Sequence, residues 1–430
     1  MSNVKKTCCM ILIATLLATV FGAYASLTGS EPVTLRFSWW GGDSRHEATL
    51  AAINLYMDKN PNVKIEAEYG GFDGYQQKLF TQLAGGTSAD IMQIDQPWMA
   101  DLMSKGDLFV NLSDYAGVID ISGFDSKFLS NYCTFDGKLV CLSTGLNGIS
   151  FLGNKKVMAD AGVNFSSVIS WDDLINEGKK VNANNPNGYM INMDRGTHYF
   201  VARIYLYQLT GKPIVNDDYT IGFTKEELAE AFSYTLRLYD EKVIIPLQEA
   251  LLFQGAPQDN PGWNDNQFGG WFNWASTATL NNWGEDAVAL PYPILPNAKQ
   301  SGYIVRPSQV LAIAKNSKNA EEAVKFLDFM FNNEEAVLLL KDCRSVPPVD
   351  RSRDLLNEKG LINKVVVDSV NLALKNIGNK ETVLSGNTEI SGVFDTVFEK
   401  LIYKQYDVAA AVDETFVLMQ DVLDSLKAAG

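Results

Sequence analysis

The chain has 430 residues, 46% of them hydrophobic and 20% charged, which is too long for one ordinary core and too apolar for disorder, so two domains of average size are expected. Its formal charge of −15, from 36 Lys and Arg against 51 Asp and Glu, has the wrong sign for neutralising nucleic-acid phosphates or docking on anionic lipid. Two histidines, and five cysteines that never form a CxxC pair, argue against a His-based zinc site and dithiol chemistry, so neither a metal nor a cofactor is predicted.

Lys5 and Lys6 precede an apolar run from Met10 to Val20, and Ala23-Tyr24-Ala25 offers the small residues that a signal peptidase accepts before Ser26. The run is about half of the roughly 20 apolar residues that span a bilayer, so residues 1–25 read as a cleaved export signal rather than an anchor. Cys8 and Cys9 stand before the run, whereas a lipid-carrying cysteine would end it. Cleavage after Ala25 removes two lysines and no acid, which deepens the charge to −17 and leaves Cys133, Cys141 and Cys343.

From Val33 to Trp39 the run VTLRFSW alternates as a strand. Gly41-Gly42-Asp43-Ser44 then opens a helix whose apolar positions recur at helical spacing until Asn60-Pro61 stops it. A strand over Val63 to Tyr69, a helix over Tyr75 to Leu83 ending at Gly85-Gly86, a buried strand over Asp90 to Asp95 and a helix from about Trp98 follow. This order predicts an α/β domain with a largely parallel sheet, whose ligand end is the carboxyl end of the strands, where Trp39, Trp40, Asp95 and Gln96 sit. Asp136-Gly137 signals a two-residue hairpin that places Cys133 opposite Val140 and Cys141 on the other face, so a disulfide between the two cysteines needs a different turn.

A second α/β set begins after that hairpin. Ser170 with Asp173 frames a helix over Trp171 to Asn184, Thr224 with Glu227 forms a capping box before an apolar stripe from Leu228 to Tyr239, and Asn319 with Glu322 caps another from Ala320 to Phe331. Between these, Pro257 to Asn282 gathers Trp263, Trp271, Trp274 and six asparagines, among them Asn273, Asn281 and Asn282, and reads as a loop region. DNPGWNDN within it has oxygen ligands but no calcium-loop spacing.

Taken in order, VTLRFSWWGG with its helix, KLFTQLAGGTSADIMQID, GKLVCLSTGLNGISFLGNKKVMADAGV before SWDDL, LYDEKVIIP, and SGYIVRPSQVLAIAKNSKNAEEAVKFLDFMF closing with SVPPV resemble the extracellular solute-binding proteins of carbohydrate ABC importers, the maltose-binding-protein group. SWWGGDSRHEATLAAI and QLAGGTSADIMQ are similar, more narrowly, to binding proteins for pectic oligogalacturonides. The resemblance implies an α/β, two-lobed periplasmic-binding-protein fold of the type II kind, each lobe a sheet flanked by helices with a cleft between. It implies an N-terminal lobe from 26–145 and 300–343, a C-terminal lobe from 146–299 and 344–430, and hinge crossings near 144–147, 303–306 and 346–349. It also implies a monomer in the periplasm that closes on an oligosaccharide and is read by the permease of an ABC importer, not an enzyme.

A pyranose needs aromatic plates for its C–H faces and planar polar groups for its hydroxyl rim. Strand alternation lets only one of Trp39 and Trp40 reach a ligand, and Trp40 is the expected one. Trp271 and Trp274 occupy the stretch where the family commonly stacks a sugar; read from spacing alone they are equally a core helix stripe. Asp95, Gln96, Asn147 and Asn273 are the expected rim groups. A uronic acid adds a carboxylate, for which Arg45 and His46 at a helix start, Arg306 beside the second crossing and Arg344 before the third are candidates. A neutral oligosaccharide is the alternative ligand, and an exported glycoside hydrolase with a carboxylate pair is the competing class.

Overall fold

The computed structural model describes residues 32–165, 169–193, 195–253, 259–279, 283–378 and 380–429. The expected signal at 1–25, with its cleavage point after Ala25, lies outside the described residues, as do Pro257, Asn281 and Asn282. No helix among the described residues is long and apolar enough to cross a membrane.

The strands are β1 Val33–Trp40, β2 Val63–Gly70, β3 Ile91–Ile94, β4 Thr134–Phe135, β5 Lys138–Leu139, β6 Leu142–Ser143, β7 Leu146–Asn154, β8 Tyr189–Ile191, β9 Phe268–Trp274, β10 Ala287–Leu290, β11 Val305–Pro307 and β12 Val310–Ile313. They form two five-stranded assemblies and one hairpin. The first sheet runs β2-β1-β3-β12-β6, with β1 parallel to both β2 and β3, and β12 antiparallel to β3 and β6. Its central strands are buried on both faces: Phe37, Trp39, Ile91, Met92, Ile94 and every residue of β12 lie in the core, as a sheet covered by helices on two sides requires. The second sheet runs β10-β7-β9-β8, and β11 continues the β10 edge by pairing with the start of β7.

Helices form where the sequence caps them. Ser170 and Thr224 each accept from the amide three residues on while Asp173 and Glu227 reach back, two complete capping boxes. The helix Ala320–Asn332 is present, but Asn319 does not cap it: its side chain donates to the Thr34 carbonyl, and Glu322 accepts from Tyr56. The helix Arg195–Thr210 buries residues on every side, so it is a core element rather than a surface one. Asp136 and Gly137 take positive φ of 48° and 75°, the two-residue turn that matches strand twist. Val140 then donates to the Cys133 carbonyl at 3.0 Å, and Cys133 and Cys141 are both free and buried. The stretch read as loop between Pro257 and Asn282 contains β9, the central strand of the second sheet beside β7.

The chain passes between the sheets through short segments. β6 and β7 are separated only by Thr144 and Gly145, and β11 and β12 by Ser308 and Gln309, since Val305 to Pro307 still pair with β7. The third passage runs beside them, where Val346 bridges Leu146. All three meet at Gly145, whose amide neighbourhood includes the Arg344 carbonyl. A Cβ there would stand 1.9 Å from that oxygen, which no rotamer relieves because both partners are backbone. Ser308 donates to the same carbonyl at 2.6 Å and Ser345, at φ 81°, donates to the Leu146 carbonyl at 2.8 Å. Gly145→Ala is therefore expected to lower stability by about 1–3 kcal/mol or more, the scale of overpacking, read as an earlier midpoint in urea unfolding, whereas Gly42→Ala, with open space at its Cβ, should leave the midpoint nearly unchanged.

Candidate functional site

Loops at the carboxyl ends of β1, β2 and β3 gather a cluster of aromatic rings at one end of the first sheet, an aromatic rim. Alternation splits the tryptophan pair. Trp39 is 0% exposed and packed between Phe37 and Tyr69, its ring centroid 5.0 Å from that of Tyr69, and its Nε1 donates to His46 Nδ1 at 3.1 Å. His46 is thus engaged with the core side of the rim, its ring 4.6 Å from Tyr69. Trp40, the expected sugar plate, is itself mostly covered, by Phe72, Tyr75 and Trp98 at 5.6, 5.0 and 5.5 Å. The rings that face water are Phe72 and Tyr69, 52% and 49% exposed, which the sequence reading passed over. Their signal was available in EYGGFDGY, an aromatic in a glycine-rich turn after a strand.

Behind the plate lies a network of amides and guanidiniums. The Trp40 carbonyl accepts from Arg45 Nη1 at 3.0 Å and from Gln93 Nε2 at 3.2 Å. Arg45 Nε donates to the Cys343 carbonyl at 3.0 Å, and Arg344 Nε donates to Gln93 Oε1 at 2.8 Å. Burial pushes the Arg344 guanidinium down to about 10, with nearby Arg45 adding repulsion and Cys343 and Tyr75 opposing it. Loss of water likewise lowers Arg45. Arg344 was expected at the ligand. It is instead 5% exposed, with its Nη2 out of reach of solvent, so it positions Gln93 and the third passage rather than offering a free fork. Arg45 is committed to two carbonyls.

The floor is formed by β7, β9 and β11. Register pairs Arg306 with Asn147 and Trp274 with Ile149, which sets all four side chains on one face. Trp271 and Trp274 are three apart in a strand, so they point opposite ways. Trp271 is 1% exposed and meets Trp263 at 5.2 Å in the core, and it is not a plate. Trp274 is half-buried, with Phe200 edge-on at 5.6 Å and the Arg306 guanidinium over its ring at 4.3 Å. Asn273 lies on the reverse face opposite Ser150 and accepts from the Trp274 amide at 2.8 Å, away from the floor. Asn147 donates to Ser276 at 3.1 Å and accepts from the Ser276 amide at 3.3 Å. These two residues, with Ser308, Asp342, Ser345 and Asn363, line a groove of about 380 Å³ to which the second sheet, the passages and the start of the Lys364–Lys375 helix contribute.

Charge on the floor is arranged by opposition. Arg306 is exposed along one side, yet loss of water lowers it, Glu381 and Asp95 pull it up, and Arg203 pushes it down. Asp95 is raised by loss of water, against the Gln96 amide and Arg306. Asp95 and Gln96 also supply the carbonyls that start the Trp98–Ser104 helix, accepting from Trp98 and Met99 at 3.0 and 3.1 Å. Beneath the C-terminal face, Arg203 and Glu381 form a buried ion pair, 3% and 9% exposed. The structure thus brings together Asp95, Asn147, Trp274 and Arg306, and sets Trp39, Trp271, Asn273 and Arg344 apart from them. Among the described residues, no group of three or more His, Cys, Asp or Glu side chains gathers as a metal site.

Residues 42–337 match the family model described as bacterial extracellular solute-binding protein. A Brucella abortus protein is 27% identical over 289 residues, 64% of this chain and 66% of that protein, so the match spans just under two thirds of the relative's length. An arabinooligosaccharide-binding protein of Bacillus subtilis is 24% identical over 258 residues, 56% of each chain. Among solved structures, a periplasmic oligogalacturonide-binding protein from Yersinia enterocolitica is 27% identical, covers 91% of this chain and 99% of its own, and superposes with a TM-score of 0.77. In complex with saturated digalacturonic acid the same protein superposes with a TM-score of 0.67.

Asp95 holds its proton more tightly in the folded chain than in the unfolded one, so its ionisation costs folding stability as pH rises through the carboxylate range. Asp95→Asn removes that cost. The variant should melt above wild type at neutral pH, and the gap should close as pH falls below the ordinary aspartate value of about 3.9, where both unfolded and folded carboxyls are protonated; parallel melts at every pH would show that Asp95 is not strained.

Proposed function

The chain belongs to the bacterial extracellular solute-binding proteins, two-lobed α/β proteins, and from that premise we propose that it is the capturing component of a carbohydrate ABC importer. It works as a monomer, exported and held in the periplasm, that takes an oligosaccharide between its lobes and presents it to the membrane permease. One observation carries the choice of ligand: the Arg306 guanidinium stacked on Trp274 at 4.3 Å, on the floor between the lobes. An indole offers the C–H face of a pyranose its plate. The stack with arginine is worth only about 0.5–2 kcal/mol, small enough for a sugar ring to take its place while the guanidinium turns to a carboxylate on that ring. We therefore assign a uronic-acid oligosaccharide of the pectic kind as the ligand. The Yersinia enterocolitica likeness supports that class, and its weaker superposition in the ligand complex supports an open form here.

A neutral arabino-oligosaccharide is the second reading, favoured by the Bacillus subtilis relative. A carboxylate separates the two. Calorimetry with di- and trigalacturonate, their carboxyl-reduced counterparts and arabino-oligosaccharides should find the acids bound most tightly, with affinity falling as salt rises. Trp274→Ala should cost about 1–3 kcal/mol for any sugar that binds, whereas Arg306→Gln should weaken the acids and spare the neutral sugars. Equal binding of acid and reduced forms, without salt dependence, would sink the uronic-acid assignment, and an unchanged scattering radius at saturating sugar would sink lobe closure. Sugar shortened during incubation would mark a hydrolase instead.

A further inference from the structure

Phe72 is the most exposed aromatic side chain among the described residues, at 52%. It is also firmly backed. Its ring stacks on Trp98 at 5.8 Å and 26° and meets the edge of Trp40 at 5.6 Å. Trp98 in turn rests on Tyr75 and Phe80 at 6.5 and 6.3 Å. A ring fixed from behind by two aromatic layers and open in front exposes apolar surface that a ligand would cover. We propose that Phe72, backed by Trp98, is a second sugar plate, on the opposite lobe from Trp274, and that it sets the length of the ligand at three sugar residues or more. The proposal rests on the reading of the groove as a sugar site.

Position supplies the length. Arg306 stands just before β12, and Phe72 just after β2, the edge strand of the first sheet; β3 and β1 lie between. Three strand spacings amount to roughly 14 Å, about the span of three linked pyranoses and more than two can cover. Both ends lie at the same end of the sheet, because β12 runs antiparallel to β3 and opens opposite its carboxyl end, Val310 against Ile94. The plate is one ring wide, whereas a protein partner needs about 800 Å² per side, so its size suits a pyranose face and not the permease.

Calorimetry on the full chain with di-, tri- and tetragalacturonate, and with arabino-oligosaccharides of the same lengths, tests it. Wild type should bind trimers about tenfold or more tightly than dimers, the scale of one aromatic contact. Phe72→Ala should erase that step, leave dimer affinity within about twofold, and keep the wild-type melting temperature, while Phe72→Tyr restores the step. Equal wild-type affinity for dimers and trimers, or equal weakening of both lengths by Phe72→Ala, overturns the plate. So does an unchanged sugar affinity with lost permease-dependent uptake, which would make Phe72 a docking residue. If Trp274→Ala abolishes binding and Phe72→Ala is silent at every length, only this inference fails; if no sugar of either series binds wild type, the sugar reading of the groove fails with it.

Discussion

The carbonyl of Trp40 is the point on which the site depends. It ends β1, and it is held by Arg45 from the following helix and by Gln93 from β3. Gln93 is held in turn by Arg344 from the third passage. Two guanidiniums therefore converge on strand ends with no carboxylate among their charge partners. A buried charge without a counter-ion costs several kcal/mol unless hydrogen bonds satisfy it, and here carbonyl and amide oxygens do most of that work. The result is a joint in which the aromatic rim of the first sheet and the third passage are one structure. Trp40 cannot shift without disturbing Cys343 and Arg344, and the third passage cannot rotate without loosening the rim.

On the proposed two-lobed reading, that joint is where one lobe would turn against the other. Two of the passages are two-residue segments, and they pack backbone to backbone with the third at Gly145. Rotation of rigid bodies about a few short connections needs only small changes there. Ser345 carries a positive φ of 81°, an uncommon conformation for serine, and its hydroxyl bond to Leu146 holds it. If the proposed hinge lies here, strain of this kind is a reservoir that a different lobe angle could release.

Much of the first lobe was legible because its signals are local. The Gly41-Gly42 start, the Asn60-Pro61 stop and the period of IMQI set β1, β3 and the helix between β1 and β2 without reference to anything distant. Capping boxes did the same for two helices of the second lobe. β9 was missed because glycines and asparagines weaken strand propensity, and its pairing with β7 across more than a hundred residues overrides it. That miss also left Trp271 and Trp274 undivided, since only a strand period sends residues three apart to opposite faces. Nothing local marks Arg344 as buried, because the amide its guanidinium meets, on Gln93, is remote in sequence. No local pattern distinguishes a guanidinium that meets a ligand from one that meets a buried amide.

The floor and the rim divide recognition between two kinds of group. On the rim the aromatic rings are locked by one another, so their contribution to a bound sugar is area without much ordering cost. On the floor, Asp95 and Arg306 are both disfavoured by loss of water even before the lobes close. Closure removes more water from both. A neutral ligand leaves that added cost with Arg306, whose remaining attractions, Glu381 and Asp95, do not form an ion pair with it among the described residues. A carboxylate on the ligand offsets the cost at the charge that bears it, and the same oxygen would repel Asp95 if seated on its side of the groove. On the proposed reading, charge selectivity is therefore enforced by the closing step rather than by the first contact, and it places the acidic ring at Trp274 and not at the aromatic rim.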